Sequence, residues 1–425
     1  MKEDFLHYIW KYKLFNTSNL ITSAGETIEI INFGLHNTDA GPDFFNGKVK
    51  IGATTWVGNI EIHINSSDWI KHKHQNDKAY DNVILHVVYN NDKSITDKDG
   101  NTIPTLELKD LINSGLIAKH KNLVCQPESE IACGKQIATI DTFTINTWLN
   151  RLAIERLERK SIEIQSTLKL NKNNWEETFY QYLFKYFGLK VNAQPFEMLA
   201  RNTPLKIIEK HNNINSIEAL LYGQAGFLDQ KIADEYHQKL KKEYNFLKSK
   251  FDLEPLDKSV WKMLRLRPSN FPTIRIAQLA DLLNKETRLF SKVIEATSIV
   301  ELQLLFKAKA SEYWENHYQF GEEVEKNSVK NLGITTVNSI IINVIVPFTF
   351  IYGKAKQDEE LVEKSLKLLE QLAAENNVII KNWSALGVKP NNAMQTQSLI
   401  ELKNNYCSKK KCLICSIGNK ILQRD

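Results

Sequence analysis

The chain has 425 residues, of which 42% are hydrophobic and 25% charged, so it is not a largely disordered protein and has room for two or three domains. Its net charge of +5 hides an acidic first part, because residues 1–120 hold 12 Lys, no Arg and 15 Asp plus Glu. The basic excess that follows suits a protein that holds a polyanion with one part and processes it with another. It also suits solvated helix faces, which are commoner.

The N-terminus predicts no export signal, because residues 1–15 contain Glu3 and Asp4 and no long apolar run. The most apolar segment, residues 340–352, is shorter than the ~20 residues of a membrane-spanning helix and predicts a buried helix or strand. Five cysteines in a long chain favour a reducing compartment, where clustered cysteines more often bind metal than form disulfides. We therefore expect a cytoplasmic protein without a membrane segment.

Residues 1–120 have the pattern of an α+β domain. An amphipathic helix is predicted over residues 3–15. The predicted strands are short and are separated by turn sequences such as Asp39-Ala-Gly-Pro42: 27–32, 47–52, 55–65, 82–90 and 104–108.

The hydrophobic period changes to that of helices from about Thr142. Helical patterns then continue almost to the end of the chain, with no regular repeat. We predict a junction over residues 121–141 and a large α-helical domain over residues 142–425 that ends in a cysteine knuckle.

Two carboxylates and an imidazole are the strongest candidates for chemistry. Side chains alternate along a strand, so Glu61 and His63 share one face of the predicted strand 55–65. Asp43 follows a Gly-Pro turn and would meet Glu61 if the intervening strands form a hairpin. Converging carboxylates bind Mg²⁺ or Mn²⁺, which can activate water at a phosphate. The alternative is a hydrogen-bonded turn aspartate beside a solvated strand face.

The next segment predicts a second layer of polar side chains around this site. It contains Asp68, His72 and His74, and two histidines with an aspartate can bind zinc or manganese. A merely solvated polar loop is the alternative. His86 has apolar neighbours in sequence and is expected to be structural, unless it joins Glu61 across the sheet.

The run from Pro42-Asp43 to Glu61-Ile62-His63 resembles the PD-(D/E)xK nuclease pattern, and the preceding helix with Glu3 looks like the first core helix of that superfamily. The resemblance implies a restriction-endonuclease-like sheet, with Asp43 and Glu61 as metal ligands and the third position orienting or deprotonating water. His63 stands where the pattern has a lysine. A histidine can act there as a base or as a ligand, but it supplies no permanent positive charge.

Nearly the whole chain resembles a bacterial family, the domain-of-unknown-function family numbered 2851. The resemblance lies in the motifs GPDF, GNIEIHINSSDWIKHKH, AYDNVILHVV, RLRPSNFPTIRIAQLA and CSKKKCLICSIGNKIL. It implies no established activity.

Cys407, Cys412 and Cys415 form a C-x4-C-x2-C motif, which could hold one zinc ion or one iron–sulfur cluster. The fourth ligand would be Cys125 or Cys133. Some PD-(D/E)xK nucleases hold an iron–sulfur cluster with one distant and three clustered cysteines, which is similar in outline. Reduced cysteines without a metal are the alternative.

Basic side chains in the second half of the chain are candidates for phosphate contacts. Arg265 and Arg267 precede a predicted helix, and Lys409, Lys410 and Lys411 lie between the cysteines. The alternatives are that the arginines form ion pairs on a helical surface and that the lysines belong to a solvated tail.

These patterns together predict a metal-dependent phosphodiesterase that acts on DNA or RNA. Two alternatives remain open: a non-catalytic module that binds nucleic acid or protein, and a small-molecule metallohydrolase that uses His63, His72 and His74 in a closed pocket.

Overall fold

Two compact units make up the chain in the computed structural model, which describes residues 2–124, 131–264 and 266–424. Unit 1 comprises Met1–Trp148 with Leu402–Asp425, and unit 2 comprises Leu149–Glu401. The prediction of an α+β protein with an N-terminal mixed sheet and a large helical region is confirmed.

The described strands form one seven-stranded sheet in unit 1 and one small hairpin in unit 2. They are β1 (Leu20–Ile21), β2 (Thr27–Asn32), β3 (Leu35–His36), β4 (Phe44–Ile51), β5 (Thr54–Asn65), β6 (Val83–Asn90), β7 (Thr105–Glu107), β8 (His317–Gln319) and β9 (Glu322–Glu323).

The described α-helices are α1 (Glu3–Lys11), α2 (Asp68–Lys71), α3 (Ser114–Val124), α4 (Thr142–Leu170), α5 (Trp175–Phe187), α6 (Ala193–Asn202), α7 (Leu205–Ile208), α8 (Ile214–Gln224), α9 (Glu235–Phe251), α10 (Pro272–Lys285), α11 (Leu289–Glu295), α12 (Ile299–Leu305), α13 (Ile334–Ile340), α14 (Val346–Lys356), α15 (Glu359–Gln371), α16 (Val378–Ala385), α17 (Ala393–Glu401) and α18 (Ser416–Gln423).

The sheet of unit 1 changes from antiparallel to parallel at β5. Its strand order is β1-β2-β4-β5-β6-β7, with β3 paired to β4, and β5 and β6 both run parallel to their next neighbour. Parallel neighbours need a crossover connection, and here the crossover contains α2. The resulting register places Glu61 of β5 directly beside His86 of β6.

Strand β5 is buried on both faces in its second half, as is usual for strands with parallel neighbours. Ile60 and Ile62 face one side, and Glu61 and His63 face the other, where they are only 4% and 1% exposed. Helix α1 packs on β5. Gly58 permits the close approach of β6, because a Cβ there would lie 2.6 Å from the carbonyl oxygen of Asn82.

Unit 2 is built from helices around an extended apolar core. The predicted buried segment 340–352 lies within one helix, Ile334–Lys356. This helix is α-helical at both ends and has a π-helical turn at Ile341–Ile345. Among the described residues this helix is long and apolar enough to cross a membrane, but 67% of its most apolar window is buried inside the protein. Buried core helices can be equally long and apolar, so these two properties alone are weak evidence for a membrane span.

The C-terminal segment differs from the predicted domain boundary. We predicted one helical domain over residues 142–425, but contacts group Leu402–Asp425 with unit 1. The rings of Trp148 and Tyr406 meet edge to face at 5.3 Å, and the Arg424 guanidinium donates to the carbonyl of Thr139. Helical periodicity reports local conformation and not the core on which a helix packs, so the sequence could not show this return of the chain.

Candidate metal centre

The Asp43 carboxylate is placed by the turn before β4 and by the edge of β5. The side chain of Asn37 donates to the carbonyls of Asp39 and Pro42, which closes the turn. The amide of Ile62 then donates to Oδ2 of Asp43 at 2.9 Å. In return, the amide of Asp43 donates to Oε2 of Glu61 at 3.1 Å. The structure therefore brings Asp43 and Glu61 side by side.

Helix α1 adds two side chains that stand one helical turn apart. Glu3 and His7 have i, i+4 spacing, so they share a helix face. One ligand atom each from Glu3, His7 and Asp43 lies within 4.8 Å of the other two, and we call this set the carboxylate group. Nε2 of His7 is 3.3 Å from Oδ2 of Asp43. The sequence indicated Glu3 only through a resemblance and missed His7, although the i, i+4 spacing was a visible signal.

His63 is enclosed by other imidazoles. Its Nδ1 lies 2.9 Å from Nε2 of His86, and its Nε2 lies 3.1 Å from Nδ1 of His72. The same Nε2 is 3.5 Å from Oε1 of Glu61. His86 is fully buried, and it contacts His63 rather than apolar side chains alone.

His72 and His74 join His63 on the same side of the sheet. One ring nitrogen of each of the three lies within 4.8 Å of the other two, and we call this set the histidine group. Lys73 between them has a φ of 62°, a left-handed conformation that brings residues i and i+2 to one side. Nε2 of His74 lies 3.3 Å from Oε1 of Glu61.

Asp68 is placed outside both groups. Its Oδ2 accepts from the amide of Asn65 at 2.9 Å, and its Oδ1 pairs with Lys71 at 2.6 Å. Asp68 therefore holds the start of the β5–β6 crossover. Burial acts to raise its pKa, but the hydrogen bonds with Lys71 and Asn65 outweigh burial and the net shift is downward.

Burial and neighbouring groups favour the neutral form of several carboxylates and imidazoles in the carboxylate and histidine groups and beside them. Burial, followed by the Asp43 carboxylate, raises the pKa of Glu61 to about 8, and burial also raises the pKa of Glu3. Burial and the neighbouring imidazoles lower the pKa of His63 to about 2 and that of His86 to about 3. Burial lowers the pKa of His7, but Asp43 outweighs it and the net shift is upward.

Unpartnered imidazole nitrogens indicate ligands rather than hydrogen-bonding residues. Nε2 of His7 and Nε2 of His74 are buried and have no hydrogen bond of good geometry, although each lies 3.3 Å from a carboxylate oxygen. Two ligand atoms that bind one ion at ~2.1 Å lie ~3–3.5 Å from each other, and their lone pairs point at the ion and not at each other. The donor set therefore fits metal binding, with oxygen-rich and nitrogen-rich halves.

A family model described as Protein of unknown function (DUF2851) matches residues 3–378. The chain belongs to this family. The matched range includes the carboxylate and histidine groups and ends before Cys407. No curated protein matches the chain. No solved structure matches it either.

A basic groove of about 720 Å³ lies in unit 1 of this DUF2851 protein, and His7 is part of its lining. Tyr8 and Tyr12 add aromatic rings, and Asp4 is the one acid among the described lining residues. Six lysines line it: Lys2, Lys11, Lys121, Lys409, Lys410 and Lys411. The predicted phosphate contacts Lys409–Lys411 thus share one groove with His7.

The predicted arginine contacts lie elsewhere. Arg267 is exposed in unit 2, immediately before a short 3-10 helix, and Arg265 lies outside the described residues. Arg267 does not belong to the groove.

The cysteines of unit 1 belong to two parts of the chain. Cys133, Cys407, Cys412 and Cys415 are free of disulfides. Among the described residues, the groups of three ligand atoms within 4.8 Å of one another include none of these thiols. Burial, followed by the charges of Cys415 and Cys412, raises the pKa of Cys133 to about 12. Cys133 is the described candidate for the fourth ligand, and Cys125 lies outside the described residues.

The metal centre at these thiols stays a prediction, and metal analysis of the purified protein tests it. We expect either about one zinc per chain without colour or iron with acid-labile sulfide and a brown absorption spectrum. The prediction would be contradicted if the unaltered protein contained neither metal, or if the Cys412→Ser variant kept the same metal content. Cys412→Ser is the informative variant because Cys412 lies in both the x4 and the x2 spacing.

Proposed function

We propose that this protein is a metal-dependent phosphodiesterase that acts on nucleic acid. The observation that carries the proposal is the convergence of Asp43, Glu61 and Glu3 beside His7. This arrangement agrees with the resemblance to PD-(D/E)xK nucleases, in which an acidic residue of the first helix accompanies the Asp and Glu of the motif. We also propose the restriction-endonuclease-like character of the sheet on this basis.

Glu3, His7 and Asp43 would hold a divalent cation, and Glu61 would face it. Carboxylates suit Mg²⁺ and Mn²⁺, and the imidazole of His7 favours Mn²⁺ of the two. Such an ion supplies an activated water and neutralises charge on a scissile phosphate. The chain itself fixes the carboxylates through the reciprocal amide bonds of Asp43 and Ile62, so little reorganisation is needed at the site.

His63 does not serve as a substitute for the lysine of the pattern. Burial and the adjacent imidazoles lower its pKa, so it is neutral at pH 7. Both of its nitrogens face other imidazoles at 2.9 and 3.1 Å. Of the two roles open to a histidine here, base or ligand, this environment favours the ligand.

The groove supports nucleic acid as the substrate class. Six lysines against one acid match the phosphate backbone of a polyanion, and the exposed Tyr12 offers a ring face on which a base can stack. Because His7 lines the groove and also belongs to the carboxylate group, a strand in the groove would reach the site. Free thiols suit a reducing cytoplasm, which we propose as the location.

The proposal is tested by incubating the full chain with end-labelled single-stranded DNA, single-stranded RNA and duplex DNA. We expect cleavage of at least one substrate with Mn²⁺ or Mg²⁺ and none with a chelator. Absence of cleavage with every polymer and metal would contradict it. Hydrolysis of a small phosphodiester alone would instead indicate the small-molecule metallohydrolase.

A non-catalytic nucleic-acid-binding protein is the second candidate, because His63 replaces the lysine while the groove keeps its positive charge. It predicts salt-sensitive binding without cleavage, which a chelator leaves unchanged. The same incubations, read by a filter-binding assay, separate the two candidates.

A further inference from the structure

The histidine group has the geometry of a metal site in its own right. Nε2 of His63 and Nδ1 of His72 are hydrogen-bonded at 3.1 Å, a contact that an ion would replace, and His74 brings a third nitrogen within 4.8 Å of both. Two nitrogens bound to one ion at ~2.1 Å stand ~3–3.5 Å apart. The group is therefore already near the spacing that a shared ion requires.

His74 points into the group without a protein partner. Its Nε2 is buried and makes no hydrogen bond of good geometry, although Oε1 of Glu61 lies 3.3 Å away. A buried nitrogen in this state is rare unless water or an ion meets it. An ion between His74 and Glu61 would satisfy both atoms.

Packing holds two of the three rings, whereas the ring of His72 is exposed. The ring of His74 stacks on Tyr80 with centroids 3.8 Å apart, and Trp69 meets it edge-on at 5.3 Å. His63 is held through its Nδ1, which lies 2.9 Å from Nε2 of His86. In the tautomer with a proton on Nδ1 of His63, this proton is donated to His86 and the lone pair of Nε2 is available to an ion, so His86 is a positioning residue.

Glu61 offers one carboxylate oxygen to the histidine group. Its Oε2 accepts from the main-chain amide of Asp43, while its Oε1 faces His63 and His74 at 3.5 and 3.3 Å. Oε1 is therefore the oxygen that an ion bound by the histidine group would meet.

We propose that His63, His72 and His74 bind a divalent transition-metal ion of the zinc class, beside the carboxylate group and separate from it. Three neutral imidazoles prefer zinc and similar ions to Mg²⁺. A three-histidine site leaves a coordination position open for water or for Oε1 of Glu61. The inference does not rest on nuclease activity, since a non-catalytic protein would keep this ion for the same reasons.

Zinc content of the full chain tests the proposal. Protein is stripped with a chelator, loaded with Zn²⁺, dialysed and measured by mass spectrometry of the metal. The double variant His72→Ala, His74→Ala is expected to lose one equivalent of zinc per chain relative to the unaltered protein. The matched control His36→Ala removes an exposed imidazole that belongs to neither group, and it should lose none. Unchanged zinc content in a folded double variant would overturn the proposal.

X-ray absorption at the zinc edge gives a second readout that needs no variant. Imidazole scattering in the spectrum of the unaltered protein is expected, and a spectrum with sulfur and oxygen neighbours alone would overturn the proposal. Neither measurement uses hydrolysis. A failed cleavage assay with zinc bound to imidazole therefore contradicts the nuclease alone, and cleavage without such zinc contradicts this inference alone.

Discussion

Replacing Glu61 with glutamine is expected to lower metal-dependent cleavage by at least about 10³-fold in kcat/KM, a loss typical of removing a group central to catalysis. Glutamine keeps the volume of the side chain but removes the carboxylate that lies beside Asp43 and the histidine group. It also replaces an acceptor with a donor opposite either the Asp43 amide or the imidazoles of His63 and His74. Steady-state cleavage of a labelled oligonucleotide measures the effect.

The Glu61→Gln variant should fold at least as well as the unaltered protein. Burial and Asp43 raise the pKa of Glu61 to about 8, so the ionised side chain is unfavourable in the metal-free fold and its neutral replacement is not. Unfolding by urea therefore separates loss of chemistry from loss of structure. The control Glu29→Gln changes an exposed carboxylate on β2 and should leave cleavage unchanged. Comparable cleavage by Glu61→Gln and Glu29→Gln would remove Glu61 from the proposed site.

Replacing Lys409, Lys410 and Lys411 with alanine is expected to weaken binding of single-stranded nucleic acid by about 10²-fold at low salt. The three side chains are exposed and line the groove. Each phosphate contact contributes ~0.7 to the slope of log K against log salt for single strands, so three lost contacts should reduce that slope by about 2. Fluorescence anisotropy at several salt concentrations measures affinity and slope together.

Three lysines outside the groove provide the matched control for this experiment. Lys48, Lys50 and Lys93 are exposed in unit 1 and do not line the groove. Their replacement by alanine changes the net charge equally, so the slope should stay within experimental error of the unaltered protein. Equal losses in both triple variants would indicate a general charge effect and would contradict a specific role for the groove.

The local patterns of the sequence predicted individual strands and helices but not which of them lie next to one another. Alternation along residues 58–65 predicted that Glu61 and His63 share a strand face, because side chains of a strand alternate regardless of its neighbours. The Gly-Pro turn before Asp43 was likewise predicted, although the strand after it begins at Phe44 and not at residue 47. Neither pattern contained the crossover that sets β6 beside β5, so the pairing of His86 with Glu61 stayed an open alternative to a structural role.

Three features of the site and fold had no local signal strong enough to predict them. The left-handed Lys73 turns the backbone between His72 and His74 and places both beside His63. The i, i+4 spacing of Glu3 and His7 is visible in the sequence, but their approach to Asp43 depends on the packing of α1 on the sheet. The cysteine-containing end of the chain, residues 402–425, packs in unit 1, which local patterns do not encode.

The sequence by itself determined the α+β and helical parts, the strand that carries Glu61 and His63, and the turn that carries Asp43, since these depend on local spacing and turn chemistry. Only the tertiary structure decided that α1 delivers Glu3 and His7 to Asp43, that Glu61 meets His74, and that Lys409–Lys411 share a groove with His7. These are contacts between residues far apart in the chain, and their distances depend on strand order, crossover and helix packing, which no local period encodes.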